Sequence, residues 1–238
     1  GVVIGGVAFA HRIYQFALAH SGWRHAVVFE GGESFIALST GLQSALWRLG
    51  GVPEEHRTDS LSAAFNNLAE EQELTRRYAG LCEHYGMRAS RCNPGQSQEN
   101  GSIESRHDSL KTALDQALRL RGSRCFDERG EYEAMVEKIV GRLNARVAVR
   151  LVVERATLRA LPERRTAEYE ELPARVSKYA IFTVRGAQYS APSQLIGQRL
   201  TVRLYTDHIE CWLGGACVLE RARLNHQGGQ RHPRDIDY

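Results

Sequence analysis

The chain has 238 residues, 42% hydrophobic and 25% charged, with a formal net charge of +3. That suits one large domain, or a medium domain with a small one, of ordinary soluble globular type. No apolar run approaches the roughly 18 residues of a membrane span, and no signal peptide is visible.

Five cysteines, an odd number with no Cys-x-x-Cys pair, argue against a zinc site or a disulfide framework and for a reducing cytoplasm. A chain that begins at Gly1 rather than Met reads as a fragment or a processed product.

In chain order, Arg12 to Leu18 and His25 to Phe29 are strand-like, with Ser21-Gly22 in the turn between them. Phe35, Leu38, Leu42, Leu46 and Leu49 recur at helical spacing, so Glu33 to Leu49 reads as an amphipathic helix ended by Gly50-Gly51. Glu54 to Thr58 is a short strand that delivers Asp59 at its end. Leu74, Tyr78, Leu81 and Tyr85 mark a second helix, with Cys82 expected on its buried face, and Met87 to Arg91 a further strand. Asn93-Pro94-Gly95 opens a loop. Beyond it, Ile103, His107, Leu110, Leu114 and Ala117 set one long helix, and Tyr132, Val136, Ile139, Leu143 and Val147 another.

The period changes near Leu161-Pro162. Ala180 to Val184, Arg199 to Tyr205, Ile209 to Leu213 and Ala216 to Leu219 are short β-like runs punctuated by glycine, which predicts a small β-barrel. The residues alone therefore predict a mixed α/β core with a β appendage. The expected division is a core over 1–150, a basic linker over 151–165 and a barrel over 166–238. Positive charge gathers late in the chain. Arg142 to Arg165 holds seven arginines against Glu154 and Glu163, and Pro173 to Tyr238 holds nine Lys/Arg against five Asp/Glu. That suits a phosphate-backbone partner or, equally, a solvated surface.

Two carboxylates stand out. Asp59 follows a strand, and Glu104 is expected in the first turn of the long helix, 45 positions later. If the helix packs on the sheet, the two converge and suit Mg²⁺, which favours carboxylate oxygens. Taken singly, each also reads as a cap or a dipole partner. Lys111 shares a helix face with Glu104 and Asp108, so it reads either as a DNA contact or as an ion pair with Asp108 or Asp115. Asn100 is a good N-cap that also suits the site. Lys138, Arg142, Arg146 and Arg150 recur every fourth residue and predict one basic stripe, facing DNA or solvent. Trp23, Trp47 and Trp212 read as core or interface residues rather than base-stacking platforms.

The segment Asn93 to Ser105, with Leu110-Lys111 after it, resembles the glutamate motif of retroviral integrases and related transposases. His56-Arg57-Thr58-Asp59-Ser60 resembles their second-aspartate motif. A closer resemblance is to the large, IstA-type DDE transposase of bacterial insertion sequences that carry a separate AAA+ helper ATPase. It rests on Ser21-Gly22-Trp23, Gly32 to Phe35, Gly41-Leu42-Gln43, Ala45-Leu46-Trp47, His56 to Ala63, His84-Tyr85-Gly86 and Tyr189 to Pro192, and it covers essentially the whole chain.

The resemblance implies an RNase H-like core and metal-dependent 3′-end cleavage and strand transfer. Asp59 and Glu104 would act as catalytic ligands of two Mg²⁺ or Mn²⁺ ions. Lys111, Asn100, Arg142, Arg146 and Arg150 are then the DNA-facing residues. The implied partners are transposon-end and target DNA, further copies in a synapse and an AAA+ ATPase, all in the bacterial cytoplasm. The family needs a third carboxylate, on the first strand of the core. No Asp precedes Asp59 here, and Glu30 and Glu33 follow the wrong strand. That strand is expected upstream of Gly1, which leaves this chain inactive alone. A nuclease on the same fold, or a non-catalytic fragment that binds only DNA or partner subunits, is the alternative.

Overall fold

The computed structural model describes residues 1–30, 34–58, 68–91 and 97–224, with side chains at 68–74, 91 and 97–107 outside the description. The chain divides into two compact units, residues 1–29 with 33–166 and residues 30–32 with 167–238.

In the first unit, β1 (Val2–Ile4) and β2 (Val7–Phe9) form an antiparallel hairpin. β3 (His11–Ala17) and β4 (Arg24–Glu30) form a two-stranded sheet, and the connection between them is closed by the Leu18 N–H donating to the Trp23 carbonyl at 2.8 Å. α1 (Phe35–Leu49) starts at Ser34, whose hydroxyl accepts from the Ala37 N–H, and ends at Gly50 in the left-handed region. β5 (Glu55–Thr58), α2 (Leu68–His84) and β6 (Arg88–Arg91) make a crossover in which the two strands pair in parallel, Glu55 opposite Arg88 and Thr58 opposite Arg91.

α3 (Ser97–Arg121) leads to β7 (Cys125–Phe126), which lies parallel to β1. α4 (Arg129–Ala145) and α5 (Ala148–Arg155) follow. β1, β2 and β7 are too short to show a period in the sequence.

Among the described residues, two apolar clusters hold this unit. Phe16, Leu18, Leu42, Leu46, Tyr78 and Cys82, the last only 1% exposed, belong to the cluster of α1 and α2. Val28, Leu110, Leu114, Leu118, Val136 and Ile139 belong to that of α3 and α4. β3 serves both by alternation: Tyr14 and Phe16 pack in the first, Ile13 in the second.

The helix expected to run through Val147 is broken. Val147 has φ −116° and ψ 9°, outside helical values, so Val147 and Leu151 join the first cluster while Tyr132 to Leu143 serve the second. Segment 151–165, expected as a linker, is helical to Arg155. It then pairs with Val52 through two 2.9 Å hydrogen bonds between the Arg159 and Val52 backbones.

The second unit contains β8 (Glu170–Arg175), β9 (Ile181–Val184), β10 (Ala187–Ser190), β11 (Arg199–Leu204), β12 (His208–Leu213) and β13 (Ala216–Ala222). It is not a closed barrel among the described residues. β13-β12-β11-β8 is an open antiparallel sheet, and β9-β10 is a separate two-stranded ladder. Closure requires every strand to be bonded on both edges, and here β8 and β13 each end the sheet. The β9–β10 turn places both Arg185 (φ 48°) and Gly186 (φ 81°) in the left-handed region, as a two-residue hairpin turn of the twist-compatible type requires. The core alternates along each strand, with Leu200, Val202 and Leu204 facing in from β11 and Ile209 and Cys211 from β12.

Candidate active site and nucleic-acid interface

β5 is the strand that leads into Asp59, and it is fixed from three sides. His56 is 6% exposed, and its ring stacks on Phe16 with centroids 6.2 Å apart and planes 2° from parallel. The Tyr78 hydroxyl lies 2.6 Å from His56 Nδ1 and donates to the His56 carbonyl at 3.0 Å. A hydroxyl has one proton to give, so the imidazole Nδ1–H is the donor of the shorter contact. Burial lowers the His56 pKa to about 4, so the ring is neutral at pH 7.

Glu55 accepts from the Ser90 hydroxyl at 2.6 Å and from Arg88 at 2.9 Å, both on the neighbouring strand. These bonds, Ser90 first, hold its carboxyl below the usual range. Arg159 donates to the carbonyls of Pro53 and Glu54 at 3.1 and 3.3 Å, just ahead of the strand. Sequence reading assigned no role to Arg159 or His56. Nothing in residue type or spacing signals that either one anchors β5.

Asp59 itself lies outside the described residues, as does the side chain of Glu104. The backbone corrects two local expectations. α3 begins at Ser97, so Glu104 is its eighth residue rather than part of its first turn, and Asn100 is the fourth residue rather than the N-cap. The run Ser97 to Gly101 was expected to be loop. Gln98 and Glu99 are good helix formers, and one interior glycine costs only about 1 kcal/mol. α3 is held by Leu110, Leu114 and Leu118 on its buried face.

Lys111 is exposed and makes no ion pair among the described residues. Asp115, one of its expected partners, is taken by Arg119 at 2.7 Å and by Arg124. Lys138, Arg142, Arg146 and Arg150 are likewise exposed and unpaired among the described residues. The four-residue repeat does not run along one continuous helix: Arg142 sits on α4, Arg146 caps it and Arg150 sits on α5. Some other surface arginines are matched, as in Arg48–Glu137 (2.7 Å) and Arg129–Glu133 (2.7 Å). No helix among the described residues is long and apolar enough to cross a membrane.

Residues 161–232 match the family model described as Mu transposase, C-terminal domain. Over 96% of its length the chain is 25% identical to the transposase for insertion sequences IS1326/IS1353 of Pseudomonas aeruginosa and of Shigella flexneri. The chain is similar to transposases. It is also 46% identical, over its full length, to an uncharacterized protein of Sinorhizobium fredii. It spans about half the length of these curated relatives, 47% of the last and 46% of the transposases.

Proposed function

We propose that this chain is part of a DDE transposase of the IstA type, which cuts DNA at transposon ends and joins the new 3′-hydroxyl to target DNA. The observation that supports this best is the likeness to insertion-sequence transposases along nearly the whole chain, together with surface cations on α3, α4 and α5 that make no ion pair among the described residues. In this reading residues 1–150 are an RNase H-like core, and the catalytic activity belongs to the longer protein of which this chain is about half.

Asp59 and Glu104 are the catalytic carboxylates, and their hard oxygen donors suit Mg²⁺ or Mn²⁺. A metal pair bound there would activate the attacking oxygen and stabilise the leaving one. The chain's own residues contribute position and charge. His56, Tyr78 and Arg159 fix β5, the strand that precedes Asp59 in the chain. Lys111, Arg142, Arg146 and Arg150 neutralise DNA phosphates, and Asn100 lies one helical turn before Glu104. Further copies in a synapse and an AAA+ helper ATPase complete the assembly.

The test uses the full-length protein with DNA carrying the element ends. Asp59→Asn and Glu104→Gln should each abolish both 3′-end cleavage and joining while DNA binding and thermal unfolding stay unchanged. Joined products from either variant would refute the assignment. Cleavage without joining by the unaltered protein would make it a nuclease.

A further inference from the structure

The geometry points to a nucleotide-binding patch on the second unit, at one end of its four-stranded sheet: Arg175, Arg199 and Lys178 take phosphate, and Tyr179 takes an unstacked base of a single DNA strand. The inference rests on the DNA-binding reading above and gives it a location and a ligand form.

Arg175 on β8 and Arg199 on β11 are direct cross-strand partners. Partners in an antiparallel ladder point to the same face, and like charges placed there destabilise the sheet. Both guanidiniums are exposed, and neither has an ion pair among the described residues. Further along the same two strands, Arg203 also faces β8, and there the partner is Glu171, bonded at 3.0 Å. Arg203 is covered as well by the Trp212 ring at 4.2 Å and the Tyr169 ring at 4.8 Å. The sheet thus neutralises one arginine and leaves the other two side by side, which calls for an external anion.

The turn after β8 adds the aromatic surface. Tyr179 is 73% exposed, and Lys178 Nζ sits 5.1 Å from its ring centroid. The turn is bonded internally: the Ser177 N–H donates to the Ile181 carbonyl at 2.8 Å, and the Ala180 N–H donates to the Ser177 carbonyl at 3.0 Å. The Tyr179 ring is therefore presented from a closed turn. Beside it runs a groove of about 410 Å³ lined by Pro173, Arg175, Ser177, Tyr179, Thr183 and Gln188. Thr183 and Gln188 are opposite each other on β9 and β10 and offer hydrogen bonds to a base edge. A duplex hides its base faces by stacking, whereas a single strand offers each one to an aromatic ring.

The experiment measures binding of the 238-residue chain to a fluorescent mixed-sequence single-stranded 20-mer, and to the same sequence as duplex, by anisotropy from 50 to 200 mM salt. Tyr179→Ala should weaken single-strand binding roughly tenfold and leave the duplex unchanged, and Tyr179→Phe should retain binding. Arg175→Gln with Arg199→Gln should flatten the single-strand log–log salt slope by about 1.4. Lys178→Gln should flatten it further by about 0.7. If the unaltered chain binds and every variant binds alike, the patch is wrong and the DNA reading stands. If the arginines matter and Tyr179→Ala does not, the contact is to phosphate alone, and the base assignment fails. If the unaltered chain binds neither form, the DNA-binding reading of this chain falls, and the patch with it.

Discussion

Acid should loosen the first unit well above the pH at which carboxylates titrate, and His56 is the main reason. Its pKa is about 4 in the folded chain, against 6.5 when solvated. A base whose folded pKa is depressed binds fewer protons folded than unfolded. Stability is therefore complete above pH 6.5 and falls as pH drops toward 4. Between pH 7.5 and 5 these two values give a loss of about 2 kcal/mol from this one ring. His25, lowered by burial and then by Arg48, acts in the same direction.

The assay is urea unfolding followed by tryptophan emission in a Trp212→Phe background. The signal then comes from the first unit, where Trp23 packs on Phe16 with centroids 6.2 Å apart. A loss of this size lowers the midpoint by roughly 1 M urea. His56→Phe keeps an aromatic ring against Phe16 and keeps the backbone carbonyl to which Tyr78 donates, so it should fold and lose most of that pH slope. Equal slopes for the two proteins between pH 7.5 and 5 would refute a neutral, buried His56.

Three further changes probe how the first unit is held together. In Gly41→Ala the new methyl would lie 2.6 Å from Tyr14 Cγ, 2.9 Å from Cε1 and closer still to Cδ1; a cost of about 1–3 kcal/mol is expected, read as a lowered Tm. Gln43 is fully buried, donates to Ser39 and accepts from Tyr85 and from the Thr166 N–H, both at 2.7 Å. Gln43→Leu strands those donors and should cost about 2–3 kcal/mol in urea unfolding, whereas an unchanged midpoint would mean that the hub contributes nothing. Asn144 joins α4 to β4 by accepting from the Arg24 N–H at 2.9 Å and donating to its carbonyl at 2.8 Å. Asn144→Leu should cost about 1–3 kcal/mol and speed amide exchange at Arg24, and unchanged exchange there would contradict the tie.

The sequence by itself determined the elements long enough to repeat a period. α1 follows from Phe35, Leu38, Leu42, Leu46 and Leu49 with a stop at Gly50, and the alternating runs of β11 and β12 follow from residues such as Val202 and Cys211 that must face inward. It also put forward the candidate site, because Asp59, Glu104 and Lys111 lie in short segments that resemble known motifs and whose order can be read without coordinates.

Tertiary structure decided what depends on partners distant in the chain. β1 and β7 hold two or three residues each, and they are strands because they pair across more than a hundred positions. The helix break at Val147 is invisible to a four-residue repeat of cations, since it arises where two separate cores draw Val147 and Tyr132 in different directions. The open sheet of the second unit is set by which strands find both neighbours, and strand propensity carries no such information. The same holds for charge. Arg175, Arg199 and Arg203 look alike in sequence, and only the ladder register sets one against Glu171 and the other two against each other. A local pattern fixes which face of an element is buried, and only packing fixes what that face meets.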